Sequence, residues 1–409
     1  MQTNLRVLAI NAWDFGSTGS IMRGICQIAN EKGIDTQMVV STNYGHSVLD
    51  HGIWRITPPW LHRIINLASK LTGFEGQFAY FATKRLIGKI KAFRPDILHL
   101  HLLHHSYIHL PTLFRYIKRH DIQVVWTMHD CWAFTGHCPH FAYEKCEKWK
   151  TGCSHCPRYK DYPKSLFDNS KPMWKKKKRW FTGVNHLTVV TPSKWLGQLV
   201  QASYLKEYPV KVIHNGIDLA AFRPTESAFR KEYGLEHSTI LLGVAHTWSH
   251  RKGLDVFVRL SQSLPSSYRI VLVGVDDATA KALPPQIMTI PRTKDRSALA
   301  ALYTAADLFV NPTREDNFPT VNLEALACGT PVITFRTGGS PECIDKTCGA
   351  VVDCDDIDAL EKEILRISKE HPYSQEACLA HAQKYDMKAQ LAKYVELYET
   401  VITQRNPKH

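Results

Sequence analysis

No apolar run as long as about 18 residues occurs in this 409-residue chain, so no helix is expected to cross a membrane. The N-terminus lacks a basic stretch, an apolar core and a cleavage site. It runs directly into Leu5-Arg6-Val7-Leu8-Ala9-Ile10, which reads as a strand rather than a secretory signal. Together these absences give the expectation of a cytoplasmic protein. Low-complexity tracts and internal repeats are also missing, which argues against solenoids and propellers. The dinucleotide fingerprint Gly-x-Gly-x-x-Gly is absent. The first strand leads instead into Trp13-Asp14-Phe15-Gly16-Ser17-Thr18-Gly19, and Asp35 precedes the second strand rather than following it. A nicotinamide cofactor is therefore not expected.

What is present describes an ordinary soluble composition, with 44% hydrophobic and 22% charged residues. Short apolar runs alternate with helix-length segments throughout. They are 5–10, 37–40, 97–100, 124–128 and 187–190 in the first half, then 240–244, 270–273, 307–310, 331–335 and 350–352. Continuous apolar strands separated by helices predict parallel sheets covered on both faces. There are too many for one sheet, so the prediction is two α/β domains. The hinge falls near Val212-Ile213-His214-Asn215-Gly216-Ile217-Asp218, before Phe222-Arg223-Pro224, where Asn-Gly and Pro224 interrupt regular structure. The predicted division is 1–208, 209–385 and a C-terminal amphipathic helix within 386–409, its apolar face drawn from Tyr394, Val395, Leu397, Tyr398, Val401 and Ile402.

Lysine and arginine exceed aspartate and glutamate by 51 − 38 = 13. A basic surface attracts phosphates, whether of nucleic acid, an anionic bilayer or a diphosphate substrate. The run Lys171-Pro172-Met173-Trp174-Lys175-Lys176-Lys177-Lys178-Arg179-Trp180 frames cations with tryptophans, a pattern suited to lipid headgroups. A second candidate for the membrane surface is the stripe Leu61, Ile64, Ile65, Ala68 and Leu71, flanked by Arg63 and Lys70. The rival for both is a helix with a solvated basic face.

Eleven cysteines are many for a cytoplasmic enzyme, and five of them crowd into an insertion at 131–157. Cys153-Ser154-His155-Cys156 has the two-residue gap that lets both sulfurs reach one metal, and Cys138 and Cys146 would complete four thiolates. A structural zinc and free thiols weigh equally here, with disulfides behind. The histidines at 99, 101, 104, 105 and 109 are not read as a metal site, because they fall out of phase and only Asp96 accompanies them.

The most informative run is Asp316-Asn317-Phe318-Pro319-Thr320-Val321-Asn322-Leu323-Glu324. Two carboxylates stand eight positions apart, and a helix begins between them near Pro319. Carboxylates for hydroxyls and free helix N–H groups for phosphate are what a nucleotide-sugar requires. The run resembles the acid–seven residues–Glu signature of retaining GT-B glycosyltransferases of the "group 1" or family 4 type, with Asp316 where the family usually has Glu. Other strings resemble the same family in the same order. They are the first βα turn with Gly16 and Gly19, Thr127-Met128-His129-Asp130, Asn215-Gly216-Ile217-Asp218 with Phe222 and Pro224, His246 to Gly253, and Thr337-Gly338-Gly339-Ser340-Pro341-Glu342. At His246 the family usually has Arg.

The resemblance implies an α/β GT-B fold of two Rossmann-like doubly wound domains with a cleft between them, the acceptor on the first and the donor on the second. It implies His129, Asp316 and Glu324 as the catalytic residues. Donor binding falls to Lys252, Arg251, Asn317, Phe318, Pro319, Gly16 and Gly19. Asp130 would orient His129 or shape the loop. The implied activity moves a hexose-type sugar, with retention, from a nucleotide-diphosphate sugar to a glycan or polyprenyl-linked glycan in bacterial-type surface polysaccharide synthesis. The enzyme would act at the inner face of the cell membrane without a catalytic metal; Asp353-Cys354-Asp355 reads as incidental. The alternatives are a nucleotide-sugar 2-epimerase or phosphorylase of the same fold, and a zinc-stabilised nucleic-acid-binding protein. The last leaves the 316–324 acids unexplained, so no nucleic-acid partner is expected.

Overall fold

Aliphatic and β-branched runs flanked by helices build two all-parallel sheets in a computed structural model that describes residues 5–42 and 52–405. The first sheet contains β1 (Arg6–Ile10), β2 (Asp35–Val40), β3 (Ile53–Arg55), β4 (Ile97–Leu100), β5 (Gln123–Thr127), β6 (Leu187–Thr191) and β7 (Val210–Val212), in the order β3-β2-β1-β4-β5-β6-β7. The second contains β8 (Thr239–Val244), β9 (Tyr268–Val273), β10 (Ile287–Ile290), β11 (Leu308–Asn311), β12 (Val332–Phe335) and β13 (Gly349–Val352), in the order β10-β9-β8-β11-β12-β13. β3, β7 and β10 were not expected. They are short and lie at sheet edges, where few residues carry the apolar signal.

Neighbouring residues on each strand point to opposite faces, and both faces are packed. On β1, Leu8 and Ile10 join Leu98, Leu100 and Trp126 under Leu113 and Phe114, while Ala9 packs with Met22, Cys26 and Val40. On the second sheet, Leu242, Val271 and Phe309 pack under Tyr303 and Leu326, and Leu241, Ile270 and Leu308 pack under Phe257 and Ile364. The chain divides into two units, Met1–Ile213 with Gln390–His409, and His214–Ala389. The helix Met387–Arg405 thus ends in the first unit. There Tyr398 Oη meets His99 Nδ1 at 2.6 Å, and Arg405 donates to the Asp121 carbonyl at 2.6 Å.

Two helices of the first unit bear on the membrane expectation. The helix Ser170–Phe181 overturns the reading of its tryptophans as interfacial. Trp174 and Trp180 are buried, and Trp174 Nε1 donates to the Trp149 carbonyl at 2.8 Å. Lys177 in the middle of the cation run is fully buried too. Positions 173, 174, 177, 180 and 181 are spaced at a helical period, so they form the face that packs on the core. Lys171, Lys175, Lys178 and Arg179 remain outside.

The helix Pro59–Thr72 buries His62, Ile65 and Ser69. Its other apolar face, Trp60, Ile64, Leu67 and Leu71, is solvent-exposed, with Trp60 at 63%. The expected stripe therefore splits: Ile65 turns inward, and Ile64 and Leu71 turn outward. Among the described residues no helix is long and apolar enough to cross a membrane.

Candidate functional site

In an open parallel sheet the strand order reverses at one point, and the loops leaving the strands there diverge to form a crevice. In the second unit this point lies between β8 and β11. The loop after β8 carries His246 to Gly253, and the loop after β11 carries Pro312 to Pro319. The two loops are stitched together. Gly253 has φ +78°, and a Cβ there would stand 2.4 Å from the Pro312 carbonyl oxygen. The Arg314 N–H donates to the Arg251 carbonyl at 2.9 Å. The buried Arg314 guanidinium grips both oxygens of Asp255 at 2.8 and 2.7 Å and Asp355 at 2.5 Å.

This frame brings two expected residues into contact. Lys252 Nζ lies 2.8 Å from Asp316 Oδ2, and Asp316 Oδ1 accepts the Phe318 N–H at 3.2 Å. The glycine turn at 338–339 closes over the same backbone. The Gly339 N–H donates to the Asp316 carbonyl at 3.1 Å, and a Cβ on Gly338 would fall 1.8 Å from that oxygen. Asn317 is buried beside it, and the Phe318 ring is spent in the core, stacked on His214 at 4.9 Å. Pro319 then precedes the helix Thr320–Ala327, which starts without a side-chain cap; the Asn322 N–H turns back to the Pro319 carbonyl at 3.2 Å, and the N–H groups ahead of it meet no capping side chain. Glu324 follows on that helix. Tyr303 Oη donates to its Oε2 at 3.0 Å. Burial pushes the Glu324 carboxyl up to about 7, against the Tyr303 and Thr320 hydrogen bonds and the Arg296 charge that favour its ionised form.

Arg251 donates to the Glu315 carbonyl at 3.3 Å, so it is tied to the neighbouring loop. The guanidinium beside His246 belongs to Arg292, whose Nη2 lies 2.6 Å from His246 Nδ1. Arg292 and His246 line an open cavity of about 490 Å³ with Gly274, Asp276, Thr293 and Leu299 at the carboxyl ends of β8, β9 and β10. Arg292 and Tyr303 were not singled out from sequence. Only the fold brings the Arg292 side chain to His246.

Each acid of Asp353-Cys354-Asp355 is occupied separately, Asp353 by Arg336 at 2.8 Å and Asp355 by Arg314. Among the described residues, Asp345, Cys348 and His381 form the group whose ligand atoms lie within 4.8 Å of one another. Both His381 ring nitrogens are already engaged, with Asp345 at 2.9 Å and the Cys343 carbonyl at 3.1 Å, which makes it a structural tie.

In the first unit the order reverses between β1 and β4. Asn11, fully buried, joins the loops after these strands by donating to the Trp13 carbonyl at 2.9 Å and accepting the Leu102 N–H at 3.2 Å. Gly16 opens the first helix at φ +70°, and Gly19 lets that helix lie on the Asp14 backbone, where a Cβ would come within 2.5 Å. His129 leaves β5 with its Nε2 3.1 Å from His101 Nδ1, the two rings nearly parallel at 13°. Burial pushes His129 down to about 4, outweighing the Asp130 charge, so the imidazole is neutral at neutral pH. Asp130 serves the loop: it holds His104 Nε2 at 2.9 Å and accepts the Trp132 N–H at 2.9 Å. Cys138, Cys146, Cys153 and Cys156 are free thiols around a separate small cavity.

Comparisons with known proteins follow the same division. Residues 30–221 match the family described as Glycosyltransferase Family 4, and residues 225–384 match Glycosyl transferases group 1. The chain is 27% identical over 283 residues to a "Putative colanic acid biosynthesis glycosyl transferase WcaC" of Escherichia coli (strain K12), covering 67% of this chain and 66% of the relative. It is 30% identical over 176 residues to a "D-inositol 3-phosphate glycosyltransferase" of Mycolicibacterium gilvum, covering 40% of each. The matched stretch thus spans just under two thirds of the first relative and well under half of the second.

Among solved structures, a sucrose-phosphate synthase from Thermosynechococcus elongatus superposes with a TM-score of 0.71 at 16% identity, covering 98% of this chain and all of that one. Anabaena Alr3699/HepE in complex with UDP-glucose superposes at 0.64 and 13% identity, over 97% of this chain and 100% of that one. These likenesses establish the fold.

Proposed function

Because the chain belongs to the group 1, family 4 glycosyltransferases, with their GT-B pair of Rossmann-like domains, we propose that it transfers a hexose-type sugar from a nucleotide-diphosphate sugar to a glycan or lipid-linked glycan. The observation that carries this is the grouping of Lys252, Asp316 and the uncapped helix start at Thr320 around one switch point, with Glu324 on the same helix. The cavity lined by His246 and Arg292 takes the nucleoside end of the donor. Lys252 and the helix N–H groups hold the diphosphate, and Glu324 accepts hydroxyl hydrogen bonds.

Transfer proceeds with retention by attack on the face the diphosphate leaves, the stereochemistry that the family resemblance implies. Positive charge at Lys252 and the helix dipole stabilise the departing diphosphate. Neutral His129 contacts the donor hexose by hydrogen bonding, and no divalent cation takes part.

The colanic acid relative favours a role in surface polysaccharide synthesis, and the neighbour solved with UDP-glucose favours a nucleotide-sugar donor. The exposed stripe Trp60, Ile64, Leu67 and Leu71 favours peripheral attachment to an anionic membrane, where a polyprenyl-linked acceptor would be met. The test is incubation with a panel of nucleotide-sugars, with and without lipid-linked glycans. Acceptor-dependent release of nucleoside diphosphate with a glycosylated product is expected. A sugar epimerised without an acceptor, or cleavage by inorganic phosphate, would replace transfer with the epimerase or phosphorylase reading.

A further inference from the structure

From the arrangement of the four thiols around one cavity, we infer that Cys138, Cys146, Cys153 and Cys156 form a structural zinc site that fastens the 131–157 insertion to the first unit. All four line a cavity of about 20 Å³, room for one small atom, whose remaining wall is Thr135, His137, Phe141, Lys148, Trp149 and Ser154. The segment has little regular structure of its own, a single 3₁₀ turn at Trp132–Phe134 and a short helix at Lys148–Thr151. Trp132, Phe134, Phe141 and Trp149 anchor it in the core of the first unit, and a tetrahedral thiolate centre would tie the thiols packed against them.

The surroundings of the thiols are those of a thiolate–metal centre. The Gly136 N–H donates to Cys153 Sγ at 3.1 Å, and the Arg158 N–H to the Cys156 sulfur. Backbone donors aimed at sulfur stabilise thiolate ligands and fix their direction. Gly136 is needed for this approach, since a Cβ there would lie 2.7 Å from the Cys153 Cβ and 2.3 Å from the Ser170 carbonyl oxygen. Lys148 Nζ closes the Cys153–Cys156 loop through the Ser154 carbonyl at 3.1 Å and the His155 carbonyl at 3.0 Å.

Charge supplies an independent argument. Lys177 is fully buried, and its ammonium donates to two carbonyls, Trp132 at 2.7 Å and Thr135 at 3.2 Å, while the Glu75 and Asp130 charges reach it without forming an ion pair among the described residues. A buried cation whose counter-charges are not in direct contact is costly. Four thiolates on a dication carry a net charge of about −2, which Lys177 and the cavity-lining Lys148 would balance.

Zinc–sulfur bonds of about 2.3 Å set sulfurs roughly 3.8 Å apart. The four sulfurs are not yet so gathered: Cys138 and Cys156 share a side-chain hydrogen bond, but no three of the thiols stand within 4.8 Å of one another, that group lying among the described residues at Asp345, Cys348 and His381. Rotation of thiols that already face one cavity is the motion that closes the set. Soft thiolates select zinc over magnesium or calcium.

The experiment is elemental analysis of the full chain purified from zinc-supplemented culture under reducing conditions, followed by replacement with cobalt. About one zinc per chain is expected, with thiolate-to-cobalt charge-transfer bands and tetrahedral visible bands after exchange. Cys153→Ser and Cys156→Ser should each lower bound zinc at least about tenfold, whereas Cys354→Ser, at an exposed thiol outside the cluster, should keep it. Should the cluster variants fail to fold, the metal content and cobalt spectrum of the unaltered protein still decide. Zinc-free, folded protein with all four thiols reactive, or with a disulfide among them, would overturn the inference, as would a folded Cys156→Ser protein that retains its zinc.

Discussion

Lys252 Nζ and Asp316 Oδ2 form an ion pair at 2.8 Å in which each side chain is about a quarter exposed, 24% and 23%. The lysine is thus already neutralised before any diphosphate arrives, and the partner it has is the acid that the sequence assigned to the sugar. A partly solvated pair of this kind is weak enough to reopen. Removing the acid should leave an uncompensated cation. Asp316→Asn is expected to tighten nucleoside diphosphate binding several-fold while slowing transfer by about an order of magnitude or more. Lys252→Ala should weaken the diphosphate by roughly ten- to a hundredfold and the nucleoside hardly at all. Calorimetry with both ligands measures this, and equal losses for the two would remove Lys252 from the phosphate.

Glu324 should give donor binding a pH dependence. Its carboxyl titrates at about 7, and hydroxyls are best accepted by the ionised form, so affinity should rise with pH between about 6 and 8. Glu324→Gln should flatten that profile and Glu324→Ala should cost about two orders of magnitude in donor use. The sign for stability is opposite. The folded protein keeps a proton that the unfolded chain releases above its ordinary value of 4.5, so this contribution is full below 4.5 and fades as pH rises through 7. A thermal-stability profile of Glu324→Gln should lack that decline. A donor affinity that falls with pH would contradict the assigned role.

Transfer should survive complete removal of Mg²⁺ and Mn²⁺. Asp353 and Asp355 are held by different arginines, and prising Asp355 away would expose the buried Arg314 that stitches the two loops. Assays with chelator and with added metal check this, and an absolute requirement for a divalent ion would refute it.

Membrane attachment should depend on the helix Pro59–Thr72 more than on the lysine run. Liposome co-sedimentation with anionic vesicles at low salt is expected to pellet the protein. Replacing Trp60, Ile64 and Leu67 by Ser should release it, since these side chains are exposed and none supports the core. Lys175→Gln with Lys178→Gln should produce a smaller, salt-dependent loss, about 1 kcal/mol for each charge near the surface. Unaltered protein remaining in the supernatant would favour a soluble acceptor.

Much of the fold was legible because central strands buried on both faces read as unbroken apolar runs, as 240–244 and 307–310 do. The edge strands Ile53–Arg55 and Val210–Val212 carry too few residues for such a signal. The site was legible where one loop holds its own chemistry, as between Asp316 and Glu324. It was illegible where distant segments meet: Arg292 reaches His246 across 46 positions, and His101 meets His129 across 28. Trp174, Lys177 and Trp180 misled because a cation run on a helix shows its charges but not which face turns inward. Pro59–Thr72 misled for a related reason, having two apolar faces of which only one packs.

The turn at Gly338 has a consequence for how this protein can vary. Its Cα faces the Asp316 carbonyl so closely that any side chain would meet that oxygen at 1.8 Å, and its φ of +53° disfavours every other residue as well. A methyl group there would have to displace the Asp316 peptide, and with it the loop that carries the Asp316–Lys252 pair and Phe318. Alanine at 338 should therefore lower thermal stability and disturb the donor loop together. Glycine at 338 is thus one constraint that folding and the site share.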